Sequence, residues 1–342
     1  MCVCVKALSW GGYSRGARIR HDVSPRGAGV AAPVAEQGEE AGKVSASDEP
    51  LRFGLVGTGY WARITHAPAL ASAEGIEFAA VWGRDPGAAR ALAAEHGATA
   101  YADFDEFLGG VDGVAFAVPP DVQAAMATRA AVAGKHLLLE KPIATSAAAG
   151  SALVEAVEAA RVASVVFFTL LFQPEMRAWL AEVTDSHDRW AGADFVWLGS
   201  SLQESSPFNT PWRTDKGALW DLGPHAIALL WACLGPVSSV TADAGLADVA
   251  HLVLHHHSGA TSTVTLSQSV SPGAESFGCY VWGAAGRSAA PGLAADPVVP
   301  LRTALAELVG NVRAGRTAHR CDVEFGQDVV SLLAEAERQL AR

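Results

Sequence analysis

From Leu51 onward the chain alternates short apolar runs with stretches of helical period, and the switches between the two periods mark out its elements. "LRFGLV" reads as a strand entering "GTGYWA", followed by a segment that can be helical as far as Pro68. "IEFAAVWGRD" reads as a second strand. "PGAARALAAEHG" is then a helix with Asp85 as N-cap, Pro86 in its first position and Gly97 as its stop. "GVDGVAFAVPP" predicts a strand, "DVQAAMATRAAVAGK" a helix and "HLLLEKP" the next strand. Strands alternating with helices through short connections predict a parallel, doubly wound sheet, with ligands gathering at the carboxyl ends of its strands.

The second half has a different texture. "DFVWLGSSL", "VSSVTADAG", "AHLVLHHH", "TSTVTLSQSV" and "GCYVWGAAG" read as strands rich in Val, Thr and aromatics, with "HSGAT" as a hairpin connection. Between the first two lies "WDLGPHAIALLWACLGP", an apolar helix ended by Gly235 and Pro236. If its first turn is already helical at Asp221, that residue and His225 share one face, although Pro224 fits a helix only in its first turn. "DVEFGQDVVSLLAEAERQLA" has helical periodicity and is expected to pack back onto the first domain.

Composition sets limits on this picture. A chain of 342 residues, 50% hydrophobic, most naturally makes two domains. A net charge of -11 argues against a nucleic-acid surface and an anionic membrane. No apolar run approaches a membrane span and no charged start leads into a signal-peptide core, so a cytoplasmic protein is expected. The five cysteines show neither metal-finger spacing nor a disulfide framework, and His255, His256 and His257 read as a polar hairpin end, so no metal is expected. Residues 1–50 lack apolar periodicity, are rich in Gly, Ala, Ser and charge, and read as a disordered tail.

The chemistry concentrates at two places. Gly57, Thr58, Gly59, Tyr60, Trp61 and Ala62 form G-x-G-x-x-A after a strand, the context required by the dinucleotide fingerprint. Gly57 permits the turn, Gly59 lets the backbone approach a pyrophosphate, Ala62 keeps the helix close to the sheet, and the phosphate sits on the helix N-terminus. Glu140 and Lys141 then close a buried strand on the same edge, with Pro142 holding a tight connection, so their charges face the same crevice. The plain alternative is a strand-end ion pair with a proline stop.

Together "GLVGTGYWA", "AFAVPPDVQ", "AGKHLLLEKPIA" and "GALWDLGPHAIAL" resemble the Gfo/Idh/MocA oxidoreductases over residues 51–270. The resemblance implies an α/β chain: a Rossmann domain with a doubly wound parallel sheet at 51–170, then an α+β substrate domain with an open, mostly antiparallel sheet at 171–342. It implies that Lys141 is the active-site lysine, completed by Asp221 and His225. It adds Val118, Pro119, Glu140 and Lys141 to the cofactor site, with Trp212 and Arg213 reaching the nicotinamide or substrate; the plain alternative for the last two is a surface loop anchored by the tryptophan. Three positions depart from the family pattern: Gln123 replaces a frequent histidine, "GAL" at 217–219 a fuller glycine cluster, and Leu171 a frequent arginine. The substrate is therefore not transferable by analogy.

Hydride exchange between a nicotinamide and a carbon bearing oxygen needs a proton to move at that oxygen. Lys141 can donate to it, His225 can take or supply the proton, and Asp221 can orient His225 or the substrate. At the end of the second strand the acid expected in an NAD enzyme is replaced by Gly83, with Arg84 after it, which predicts NADP(H) over NAD(H). Asp85 could supply the missing carboxylate but suits an N-cap better. The expected function is an NADP(H)-dependent oxidoreductase acting on a small-molecule secondary alcohol or ketone, a sugar, polyol or related cyclic compound. Its alternatives are a non-catalytic sensor or repressor of the same fold, and an enzyme whose bound cofactor recycles internally to cleave a glycosidic bond. A homo-oligomer through the C-terminal sheet is also expected.

Overall fold

The computed structural model describes residues 49–185, 190–284 and 286–341. The tail reading for 1–50 therefore lies almost wholly outside the described residues. The order is β1 (Leu51–Val56), a π-helical turn (Ala62–His66), α1 (Ala67–Ser72), β2 (Ile76–Trp82), α2 (Pro86–His96), β3 (Thr99–Tyr101), α3 (Phe104–Gly109), β4 (Gly113–Phe116), α4 (Pro120–Val132), β5 (His136–Glu140), α5 (Ala147–Ala160) and β6 (Ser164–Phe167). These strands form one parallel sheet in the order β3-β2-β1-β4-β5-β6. The order reverses between β1 and β4, so the carboxyl ends of β1, β4 and β5 lie side by side at the switch point where such sheets bind ligands.

The chain continues through α6 (Thr169–Phe172), α7 (Pro174–Asp185), β7 (Trp190–Leu198), α8 (Pro211–Asp221), α9 (Gly223–Leu234), β8 (Val237–Ala244), β9 (Ala250–His256), β10 (Thr261–Ser267), β11 (Ser276–Gly283), β12 (Gly286–Ala289), α10 (Val298–Arg313) and α11 (Val323–Leu340). The second sheet has the order β12-β11-β7-β10-β9-β8, antiparallel except for the β7–β10 pair. That parallel pair opposes Leu198 to Ser267, so the residues after both strands emerge together.

Four sequence expectations need correction. The helix after the glycine turn does not stop at Pro68. A π turn, in which the Ala67 N–H reaches the Ala62 carbonyl, precedes it, and Pro68 then sits in the first turn of α1 where its missing donor costs nothing. The pattern does not predict strands β3 and β6, which have only three and four residues. Helix α9 does not start at Asp221, which instead ends α8. Finally, residues Pro211–Leu234 are long and apolar enough to cross a membrane by composition, with a hydropathy of 1.2. Yet 83% of that window is buried inside the protein, as expected of a core helix that is apolar all round.

Helix α11 joins the two halves. Its N-terminal part meets the parallel-sheet half: the Val323 N–H donates to Ser164 Oγ (3.1 Å) and Gln327 Nε2 to the Ala147 carbonyl (3.0 Å). Its far end meets the other half, where Glu337 accepts from Trp220 Nε1 and Lys216 Nζ, both at 2.9 Å, and Gln339 Nε2 donates to the Val240 carbonyl. The apolar face between these bonds (Phe325, Val329, Val330, Leu333) is buried, each side chain contributing about 1.5–3 kcal/mol. Cys233, Cys279 and Cys321 are buried, and burial pushes the thiols of the last two up to about 12, so they are not nucleophiles.

Candidate active site

The glycine turn is fixed by its neighbours. Gly57 adopts φ +125°, and a Cβ there would lie 2.4 Å from the Ala117 carbonyl oxygen, so only glycine lets β1 turn against the end of β4. Its N–H donates to the Trp82 carbonyl (2.9 Å), tying the turn to β2. A Cβ built on Gly59 would meet nothing within 4 Å apart from its chain neighbours, so the space beside this glycine is open. Trp61 begins the helix without a side-chain cap, which leaves that end to an outside acceptor. Val118 and Pro119 follow β4 beside Gly57, half-buried. Tyr60 and Trp61 place their rings edge-on to Phe208, at 5.3 and 6.0 Å, so a loop from the second half lies across the turn.

At the end of β2, Asp85 is an N-cap: its Oδ1 accepts from the Gly87 and Ala88 N–H groups (2.7 and 3.2 Å). Arg84 is exposed. The space that a Gly83 side chain would fill is taken by Thr58, whose Cγ2 lies 2.7 Å from a Cβ built there. The glycine thus has a packing reason of its own, with Thr58 and not open space beside it.

The side-chain charges of Glu140 and Lys141 go to different partners, although the Lys141 N–H donates to Glu140 Oε2 (3.2 Å). Glu140 Oε1 accepts from Trp61 Nε1 (2.6 Å) and lies 2.8 Å from His66 Nε2, a residue the π turn brings inward and buries completely. Gln123, buried, braces the same segment: its Nε2 donates to the Glu140 and Pro142 carbonyls (2.7 and 3.2 Å), and its Oε1 accepts from the Glu140 N–H (2.8 Å). The Lys141–Pro142 peptide is cis.

With Glu140 held behind it, Lys141 reaches the other half of the molecule. Its Nζ donates to Asp221 Oδ1 (2.6 Å) and to the Asp221 carbonyl (2.8 Å). Arg213 Nε donates to Asp221 Oδ2 (2.8 Å), and Gln268 Nε2 donates to the same oxygen. Gly217, at φ 62° and ψ -165°, breaks α8, so the turn carrying Asp221 is redirected from the one carrying Arg213 and the two side chains meet. Trp212 stacks against the Arg213 guanidinium (4.7 Å). Asp221 is buried. Burial raises its pKa, but the charges of Lys141 and Arg213 and the bonds from Lys141 and Gln268 outweigh this and hold the carboxyl well below its usual range.

His225 is not oriented by Asp221, whose carboxylate oxygens are taken up by the three donors. Its ring lies against Trp197 (5.4 Å), and its Nδ1 is buried without a partner. Burial first, then the Lys141 charge, pushes its pKa well below the ordinary histidine value, with Asp221 opposing; the imidazole is neutral near pH 7. The histidine triplet is not simply a polar end, since His256 is buried between the Gly235 carbonyl (2.8 Å) and Ser262 Oγ (2.9 Å). Among the described residues no group of His, Cys, Asp and Glu is arranged to hold a metal.

Family models match both halves: the oxidoreductase family with an NAD-binding Rossmann fold over residues 51–168, and the GFO/IDH/MocA C-terminal domain over 189–288. The chain belongs to the Gfo/Idh/MocA family. Within it, the chain is 29% identical over 203 residues to inositol 2-dehydrogenase of Rhizobium meliloti, covering 58% of this chain and 60% of that one. It is 29% identical over 237 residues to D-xylose 1-dehydrogenase (NADP(+)) 2 of Haloferax volcanii, covering 64% and 69%. Matches to the curated relatives span from 30% to 69% of their lengths. The crystal structure of GenD2 from gentamicin A biosynthesis, in complex with NAD, superposes with a TM-score of 0.75 at 22% identity, over 86% of this chain and 95% of that one, a likeness of fold.

Proposed function

We propose that this Gfo/Idh/MocA protein is an NADP(H)-dependent oxidoreductase that transfers a hydride between the nicotinamide and a secondary alcohol or ketone carbon of a sugar, polyol or related cyclic compound. One observation carries the reading: the Lys141 ammonium stands at the carboxyl end of β5, beside the glycine turn, anchored on Asp221 with a neutral His225 in reach of its charge. The relatives named for inositol and D-xylose support the substrate class.

The residues present fit a dinucleotide. Gly57–Ala62 would hold the pyrophosphate over the open space at Gly59, Gly83 and Arg84 the adenosine ribose, and Val118, Pro119 and Glu140 the part nearer the reacting carbon. When bound, the nicotinamide supplies the carbon that gives or takes the hydride. Two of the three Lys141 hydrogens are spent on Asp221, which leaves one for the substrate oxygen, where the ammonium stabilises developing negative charge. A neutral His225 is suited to take the hydroxyl proton as an alcohol is oxidised. Asp221 holds Lys141 and Arg213 in place and, with its lowered pKa, is a poor base.

That protonation state predicts a pH profile. His225 must be unprotonated to act, and its lowered pKa moves the acid limb of kcat/KM for alcohol oxidation below the ordinary histidine value of 6.5. A limb at or above pH 6.5 would show that His225 is not the base. For the cofactor, Asp85 is occupied as a cap while Arg84 is exposed, so NADPH is expected to bind more tightly than NADH. Replacing Arg84 by Ala should weaken NADPH about tenfold and leave NADH unchanged, read by fluorescence titration. Tighter NADH binding to the unmodified protein would reassign the ribose contact to Asp85.

A further inference from the structure

The side chain that completes the Asp221 cluster comes from the end of a strand of the second sheet, outside the motifs quoted above. Gln268 follows β10, is 1% exposed, and has both ends of its amide engaged. Its Nε2 faces Asp221 Oδ2, and its Oε1 accepts from Ser201 Oγ. A carboxylate only accepts and a hydroxyl donates, so this orientation of the amide is the one that satisfies both partners.

The backbone under Gln268 is fixed as well. Its N–H donates to Asp248 Oδ2 (2.7 Å), while Asp248 Oδ1 accepts from Ser267 Oγ (2.7 Å) and Ser269 Oγ (2.5 Å). The parallel β7–β10 pairing supplies the remaining ties: the Gly199 N–H donates to the Ser267 carbonyl (2.7 Å) and the Leu202 N–H to the Gln268 carbonyl (3.1 Å). These bonds carry Ser201 alongside the amide. A buried residue held at two points by its amide and at two by its backbone, with the amide aimed at a carboxylate already bonded to two cations, does more than fill space.

We infer that Gln268 is a positioning residue: held by Ser201 and Asp248, it fixes the Asp221 carboxylate so that Lys141 presents its remaining hydrogen to the substrate oxygen. It touches no reacting atom. Three groups bond Asp221, Lys141 from the end of β5, Arg213 from α8 and Gln268 from the end of β10, and His225 from α9 feels its charge. Arg213 and Gln268 share Oδ2, leaving Oδ1 to Lys141. Without the amide, Arg213 alone steers Oδ2 and the carboxylate is free to rotate away from Lys141.

The inference rests on the oxidoreductase reading, and the test separates the two. Gln268→Leu removes the donor at similar volume and should lower kcat about tenfold with KM for the dinucleotide unchanged. Ser201→Ala, in a partly exposed loop, should give a smaller fall of the same kind and serves if the buried variant folds poorly. Gln268→Glu is decisive. Protonated, its carboxyl can still donate to Asp221; ionised, it opposes a second carboxylate in a buried site, and Lys141 and Arg213 are already bonded to Asp221. Turnover of Gln268→Glu should therefore fall as pH rises, along a limb absent from the wild type. Its melting temperature relative to wild type should also fall with rising pH, because burial and Asp221 raise the folded-state pKa of the new carboxyl and the stability it allows is lost as it ionises. The melting comparison needs no turnover. A wild type that binds dinucleotide but never turns over would defeat the oxidoreductase reading alone. Variants that melt lower at every pH, with wild-type kcat and a wild-type pH profile, would make Gln268 a packing residue and overturn the inference.

Discussion

Replacing Lys141 by Met should lower turnover by about three orders of magnitude while dinucleotide affinity changes by less than about threefold. Methionine keeps the length of the stem but offers no donor. The substrate oxygen then loses both a proton-bearing group and a positive charge, and general acid–base assistance alone contributes about a hundred- to ten-thousandfold. The fold should survive, because Asp221 keeps two of its three side-chain donors, Arg213 and Gln268. The glycine turn is also untouched, since it is tied to β2 and through Trp61 to Glu140 rather than to Lys141. Steady-state kinetics and a dinucleotide titration on the same preparation measure the two effects separately. Near-full activity in Lys141→Met would reduce the lysine to a structural strand-end group.

Asp221→Leu should be the most destabilising exchange in the site, lowering unfolding free energy by about 3–5 kcal/mol at pH 7. The side chains of Lys141 and Arg213 are 10% and 18% exposed and would face each other with no counter-ion. The loss should depend on pH in a defined direction. The folded-state pKa of Asp221 is depressed, so its stabilisation is full above the unfolded value of 3.8 and drains away as pH falls toward the folded value. The gap between wild type and variant should therefore be widest at neutral pH and narrow below about pH 4. Denaturant unfolding at pH 7 and pH 3.5 checks both claims. A gap independent of pH would mean that the carboxylate contributes by packing and not by its charge.

Much of this site can be read from local pattern. The strand and glycine turn of residues 51–62, the cap at Asp85 and the strand ending in Glu140 and Lys141 each declare themselves within about ten residues, because turn chemistry, capping and apolar period are local properties. What was missed depends on long-range geometry. Asp221 and His225 are spaced for one helix face, but the break at Gly217 and the separate start of α9 give Asp221 to Lys141 and Arg213 instead. Gln268 carried only a weak signal, a polar residue at the end of an alternating strand, and its role exists only because β10 pairs in parallel with β7. Phe208 lies in a loop without period, and its place over Tyr60 and Trp61 follows from how that loop runs between the two sheets. His66 was hidden by the π turn, which no simple 3.6-residue pattern contains. The three-residue β3 is too short for any period to register.

The central claim is that the Lys141–Asp221–Arg213 cluster, with His225, serves hydride transfer on a polyol or sugar. It is tested most directly by following nicotinamide absorbance as purified protein is offered inositols, aldoses and their keto forms with NADP+ or NADPH, beside Lys141→Met at equal concentration. Steady, stoichiometric change in absorbance with at least one of these compounds, abolished in Lys141→Met, is the predicted result. Tight dinucleotide binding with no net change in absorbance by the wild type on any of them would contradict it, and would leave the fold in use as a sensor or as an enzyme that recycles its bound cofactor internally.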